Sequence, residues 1–391
     1  MNQVSRKRDP LSILFSYPFR IFFLSLAVWA IVAVLLWVPM VSGKLTLPLA
    51  LPALHWHQHE MLFGVLSAAI AGFLLTAVCV WTQTDRLHGI GLLALWGVWL
   101  LGRLLITFGD ALPEALVLGV NLLFLPLVML DAGQRIWRAR QRRQLVILLA
   151  LALIWFMQIG FLLAAPRPFI DAAMLCALLL MLVIGGRITP AFSIGWMRAQ
   201  GKDPSRVQSH GWLELLTIIS SLLLVLAVGA ALSDSVVILL SLLAAAASGL
   251  RLLLWRGWLV RAEPLLWILH LSLLWIPLSL LLLAGGRLGW WGATVWLHAA
   301  GIGAMGGLIL GVIARVCLGH TGRPLQLPSG MVFAFVALHV GALVRVATAM
   351  AMVPWQPGVL LSGLCWVLAF ALFLWRYWAI LISPRFDGAP D

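Results

Sequence analysis

Three histidines and a carboxylate fall within six residues at His55-Trp56-His57-Gln58-His59-Glu60. Imidazole suits copper, zinc and haem iron, and Glu60 can orient a ligating ring from behind. If the segment is helical, His55 and His59 share a face and His57 points away. If it is extended, all three point one way. Pro52 permits either, because proline starts helices and ends loops alike. An HxHxH pattern is denser than a polar helix cap requires, so metal binding is the expectation.

Other candidates lie inside long apolar runs. His298 sits about eight residues into its run, roughly 12 Å below the surface at 1.5 Å per residue. His339 lies near the middle of another run. Ionisable groups at such depth are functional candidates, although a buried histidine can also simply bond a neighbouring helix. Arg103 and Arg345 each lie near one end of a run, where they can pair with carboxylates such as haem propionates or snorkel to the interface. A second polar set comprises Gly185-Gly186-Arg187-Ile188-Thr189-Pro190, His270, and Arg315 to Pro324 with His320 and Arg323. Anchoring at the membrane surface is favoured there over anion binding, and His88 and His210 read as loop residues.

These residues sit in an apolar frame. Of 391 residues 63% are hydrophobic and 10% charged, with mean hydropathy +1.06. A soluble chain of this length cannot hide so much apolar surface, so the solvent must be lipid. Runs long enough to span fall at 20–42, 60–82, 88–107, 114–133, 143–165, 169–188, 211–231, 235–255, 264–285, 290–314, 330–351 and 358–382. The expected fold is therefore all-α: one integral membrane domain over 1–391, with about 12 transmembrane helices joined by short connections.

The formal charge of +13 does not point to nucleic acid, because the basic residues are scattered between apolar runs. They sort by side instead. With the N-terminus inside, 21 of them, including Arg6, Lys7, Arg8 and the block Arg135 to Arg143, fall on the inner side. Lys44, Arg167 and Arg287 fall outside, and Arg103 and Arg345 lie within spans. The positive-inside rule thus puts both termini in the cytoplasm and the histidine cluster on the outer face. The first run is expected to be an uncleaved helix rather than a leader, since it is long enough to span and no small-residue cleavage pattern follows. Cys79, Cys176, Cys317 and Cys365 all lie in apolar runs without CxxC spacing, which argues against a disulfide framework or thiolate zinc site.

One pair of runs echoes another. From His59, Gly64, Ala68, Ile70 and Gly72 follow at given offsets, and from His298, Gly303, Gly307, Ile309 and Gly311 follow in the same register. Arg103 and Arg345 match in the next spans. The echo suggests a weak internal repeat relating helices 2–3 to helices 10–11. It makes His59 and His298 a candidate axial pair for one haem, and leaves His55 and His57 for a second metal. The small-residue lines themselves suit close helix packing.

Soluble-enzyme signatures are missing: no Walker loop, no GxSxG elbow, no HExxH, no paired carboxylates. With 13 acidic residues, a carboxylate-based proton or sodium path is poorly supplied.

The segments LHWHQHEMLFG (54–64), AGFLLTAV (71–78), IGGRITP (184–190), LHAAGIGAMGG (297–307) and RVCLGHTGRP (315–324) resemble the NnrS family. That resemblance runs over nearly the whole chain. It implies a bacterial inner-membrane protein associated with nitric oxide metabolism and denitrification, containing haem (b-type) and copper and relieving nitrosative stress. By position it carries over His55, His57, His59, His298 and His320, without assigning a metal to each. Haem–copper oxidases and nitric oxide reductases also hold a low-spin haem with histidines of helices 2 and 10. They further need histidines in helices 6 and 7; here helix 6 has none and His210 only precedes helix 7. Catalytic turnover is therefore not the expectation. The expected role is a metalloprotein of the nitric oxide response, with the lipid bilayer and nitric oxide or its metal complexes as partners. The competing class is a transporter of a small metabolite or metal ion with a path lined by histidine and arginine.

Overall fold

The structure is a computed structural model that describes residues 9–164 and 166–388. Arg6, Lys7 and Arg8 of the expected inner cluster lie outside those residues. Twelve helices long and apolar enough to cross a membrane follow one another among the described residues, and no strand occurs. They are α1 (Pro18–Val41), α2 (Ala53–Thr82), α3 (Gly89–Phe108), α4 (Glu114–Arg138), α5 (Arg142–Leu163) and α6 (Pro166–Ala199). Then come α7 (Gly211–Gly229), α8 (Asp234–Trp255), α9 (Pro264–Arg287), α10 (Val295–His320), α11 (Met331–Ala349) and α12 (Trp355–Leu381).

The number of spans matches the hydropathy reading, but several ends do not. Helix α2 begins at Ala53, so the histidine cluster is part of the helix and not its approach. Helix α6 runs to Ala199, carrying the Gly185 to Pro190 segment inside it, and α10 continues to His320. Each misplaced end is a polar stretch that hydropathy reads as loop. Its backbone is nonetheless helical, as low-dielectric surroundings favour. Proline sets the first turn of α1 and α9, where its missing N–H costs nothing.

Large apolar side chains such as Leu239, Leu253, Phe333 and Leu343 lie exposed on the outside of the bundle. A water-soluble monomer rarely leaves such a surface open. Lipid satisfies it, and the chain is a multi-pass membrane protein. Burial separates an inner set from an outer one: the apolar window of α6 is 83% buried and those of α2 and α10 are each 72% buried, against 33% for α3. Helix α12 closes the bundle on α1, where Trp366 Nε1 donates to the Ala30 carbonyl at 2.9 Å. At one end of the molecule, Arg20 of α1 donates to the carbonyls of Leu381 and Ser383, each at 2.8 Å, so the first and last spans share a face.

Helices α2 and α10 each change winding just after a histidine. A π-helical segment occupies Glu60–Val65 directly after His59, and another occupies Ala299–Gly306 directly after His298. Such segments shift the angular phase of everything beyond them and are frequent at functional sites. Glycines within these segments let large side chains in: a Cβ on Gly303 would lie 2.3 Å from Trp275 of α9. Such positions pack helices, as the small-residue pattern suggests.

Candidate metal centre

Because 53–59 is helical, the extended arrangement with three histidines pointing one way does not occur. His55 and His59 both approach Phe161 of α5, with ring centroids 5.9 and 6.2 Å away. His57 turns to the opposite side and stacks on Trp37 of α1, at 4.2 Å with the rings 7° from parallel.

On the His57 side a cavity of about 530 Å³ lies between α1, α2, α6, α10, α11 and α12. His55 and His57 of α2, His298 of α10 and Arg345 of α11 reach it. Trp37, Trp366, Met61, Met174 and Met305 supply much of the remaining wall. A mostly apolar chamber with a few convergent polar groups is the usual form of a ligand site, and its volume is within the customary ~300–1,000 Å³.

The polar groups are prepared for a ligand. His298 Nδ1 lies 3.1 Å from the Thr294 carbonyl, which can only accept, so the proton is on Nδ1 and the Nε2 lone pair is free. Such a bond also fixes ring orientation, as it does behind many ligating histidines. His57 Nδ1 is buried with no hydrogen-bond partner among the described residues. Arg345 has neither an ion pair nor a hydrogen bond among them, although it is half-buried. An unpaired cation beside two imidazoles in an apolar chamber calls for an anionic ligand.

His59 is not part of this chamber. Its Nδ1 donates to Glu60 Oε1 at 2.8 Å, and its Nε2 lies 3.2 Å from the Gln158 amide nitrogen, which donates to it. Glu60 also forms an ion pair with Arg103, Oε2 to Nε at 2.7 Å. Arg103 donates in turn to Asn121 Oδ1 at 2.7 Å. His59, Glu60, Arg103, Asn121 and Gln158 are all buried, forming one polar network across α2, α3, α4 and α5. The anticipated pairing of His59 with His298 is therefore absent, and so is the expected freedom of Arg103 for a propionate. A carboxylate next door, desolvated and needing a cation, takes the guanidinium first. Glu60 does orient a histidine, but that ring's second nitrogen is occupied by Gln158.

His339 lies apart as well. Trp275 Nε1, which can only donate, gives a 3.0 Å hydrogen bond to His339 Nδ1. The neutral ring then carries its proton on Nε2, which is buried without a partner among the described residues. That tautomer withholds the lone pair a metal would need. His320 and Arg323 belong to the other end of α10: at 1.5 Å per residue, His320 is about 33 Å along the helix from His298. His320 lines a pocket with Cys79, Asp85, Arg86 and His88, and Arg323 lies over the Phe386 ring at 5.9 Å. His270 is held by Ser193 at 3.0 Å beside Trp255 and does not reach the chamber.

Among the described residues, no group of three or more His, Cys, Asp or Glu side chains could hold a metal ion unaided. The HxHxH motif therefore does not form a ready metal cage. Haem makes a smaller demand, since its porphyrin fills most of the iron's coordination sphere and one or two protein ligands complete it. His57 and His298 bring two imidazoles to the cavity, and Arg345 brings a cation that a propionate could pair.

A family model described as "NnrS protein" matches residues 13–385, which is nearly the whole chain. The chain belongs to the NnrS family. Comparison with curated proteins gave no match. Within this NnrS chain, two of the five segments that carry the resemblance reach the polar assemblies: 54–64 contributes to both, and 297–307 brings His298 and Met305 to the cavity.

Sequence reasoning passed over Asn121 and Gln158, the amides that complete the network. Both are lone polar residues in long apolar runs, and that isolation was the available signal. Met61, Met174 and Met305 gave no signal, since methionine is ordinary in an apolar helix.

Proposed function

We propose that this protein binds haem in the cavity shared by His57, His298 and Arg345, and that it acts in the bacterial response to nitric oxide. The observation that carries the reading is His298: its Nδ1 is tied to the Thr294 carbonyl, which leaves the Nε2 lone pair free, and the residue lines an apolar chamber together with His57. Family membership supports the biological setting. Haem, where bound, would supply an iron with affinity for nitric oxide.

The protein's own groups would bind and hold the cofactor. His298 would offer its Nε2 to the iron, and His57 would stand beside it in the same cavity. Arg345 would pair a propionate, in surroundings where an ionic hydrogen bond is worth more than in water. Trp37 and Trp366 would cover porphyrin edges and exclude water. Met61, Met174 and Met305 line the same cavity, and their thioethers are soft donors of the kind that suits Cu(I), so copper would be held there with the imidazoles.

The positive-inside bias supports an orientation with Arg20 and His320 towards the cytoplasm and the cavity towards the outer face of the inner membrane. Nitric oxide, small and apolar, would reach such a site through lipid.

The test is spectroscopic. Protein purified from cells with ample haem supply is expected to show a Soret band that shifts on titration with a nitric oxide donor under anaerobic conditions. Absence of the band would remove the haem reading and favour a transport path. A band indifferent to nitric oxide would remove the role assigned to it.

A further inference from the structure

Two arginines line the histidine cavity, Arg345 of α11 and Arg167 of α6, and among the described residues no aspartate or glutamate lines it. A cation beside an apolar wall calls for a counter-ion. Here the walls supply none, so the ligand must bring the negative charge, and two cations ask for two carboxylates.

Arg167 is free to answer that demand. Its Nε is 3.4 Å from Asp171 Oδ2 and its Nη2 is 3.5 Å from the Ala293 carbonyl, both longer than the roughly 2.7–2.9 Å of a well-made ionic hydrogen bond. Its Nη1 makes no hydrogen bond among the described residues, and its side chain is 55% exposed. Arg167 also lines a neighbouring chamber of about 650 Å³, on whose wall Asp171 and Asp234 lie. The side chain thus stands on a partition between a wall with acids and a wall without them. Exchanging Asp171 for a ligand carboxylate removes no buried charge from its partner's reach by more than the motion of one exposed side chain.

The two arginines stand at one end of the bundle and at different depths. Helix α6 begins at Pro166 and α11 ends at Ala349, so both chain ends point the same way. Arg345 is four residues short of the end of α11, about 6 Å along the helix, while Arg167 is the second residue of α6. Leu54, which is 54% exposed, and the exposed Thr294 line the cavity at that same end.

Haem carries two propionates on one edge of the ring. We propose that Arg167 is the anchor of the second propionate: Arg345 pairs the inner carboxylate, Arg167 pairs the outer one, and the propionate edge of the porphyrin is turned towards the end of the bundle where α6 begins. The assignment rests on the haem reading given above and adds to it a requirement for a dicarboxylate macrocycle.

Haem release tests it. Protein produced under haem limitation is purified and loaded either with haem or with haem dimethyl ester, whose side chains carry no charge. Transfer to excess apomyoglobin is then followed in the Soret region for the wild type, Arg167→Gln and Arg167→Lys. Arg167→Gln is expected to lose haem about two- to fivefold faster than the wild type, the range that a partly exposed ion pair supports. Arg167→Lys should recover part of that difference, and Arg167→Gln should release the dimethyl ester at the wild-type rate. Faster release of both macrocycles from Arg167→Gln would assign the residue to the packing of α6, and release of haem at the wild-type rate would leave the outer propionate without this anchor. Either result overturns the proposal while the haem reading stands. Failure of every loaded protein to give a Soret band is a separate outcome, which removes the haem reading and this proposal together.

Discussion

The carboxylate of Glu60 and the guanidinium of Arg103 meet at 2.7 Å with 0% and 3% of their side chains exposed, inside the span where the histidine cluster sits. The pair is neutral overall, and Asn121 and His59 take up neighbouring valences. It joins the π-helical turn of α2 to α3, and so fixes the rotation of the helix that carries His57.

Removing one partner leaves a buried charge without its counter-ion, at about 3–5 kcal/mol. Arg103→Ala and Glu60→Ala should each lower the melting temperature of the purified protein sharply. The double variant should lose less than the sum of the two. Additive losses in a double-mutant cycle would show that the two residues act independently.

Gly64 stands next to this pair. A Cβ there would lie 2.8 Å from Glu60 Oε2 and 3.2 Å from Trp29 Nε1. Gly64→Ala should therefore destabilise the fold by an amount comparable to a typical overpacking change, about 1–3 kcal/mol. Ala at Gly97, which meets nothing within 4 Å, should be neutral in the same thermal assay.

His339 is a packing and hydrogen-bonding residue on this account. His339→Ala, or Trp275→Phe, should reduce stability by about 1–3 kcal/mol through a lost buried hydrogen bond. Haem content per protein should stay at the wild-type value, as measured by pyridine haemochrome. Loss of haem with retained folding would bring His339 into the metal centre.

How much of this was legible follows from what hydropathy can and cannot encode. Twelve apolar runs stand out because each must satisfy its own backbone in lipid. The start of α2 was hidden because Leu54 to Glu60 is polar enough to pass for a loop, yet its side chains find partners on α1 and α5. The grouping of the histidines was hidden for another reason. Assigning a face by 100° per residue needs a regular helix, and both His59 and His298 are followed by π-helical turns. Arg103 was misassigned because its partner, Glu60, lies 43 positions earlier, and nothing in spacing alone prefers Glu60 to a ligand. His57, His298 and Arg345 were each named as candidates, but only the fold brings them into one chamber.

Orientation is open to direct test in a background lacking Cys79, Cys176, Cys317 and Cys365. Lys44 and Arg142 are both exposed and lie at opposite ends of the bundle. Lys44→Cys should react with a membrane-impermeant maleimide in intact cells, and Arg142→Cys only after permeabilisation. The reverse pattern would invert the topology and put the cavity on the cytoplasmic side.

The central claim is that His57 and His298 serve the metal centre while His59 serves the fold. The optical spectrum of purified His57→Ala, His298→Ala and His59→Ala variants, normalised to folded protein, tests it most directly. The account predicts that the Soret band falls severalfold or shifts in the first two, and that folded His59→Ala keeps the wild-type band despite a lower melting temperature. A band unchanged in His57→Ala and His298→Ala but lost in folded His59→Ala would contradict it.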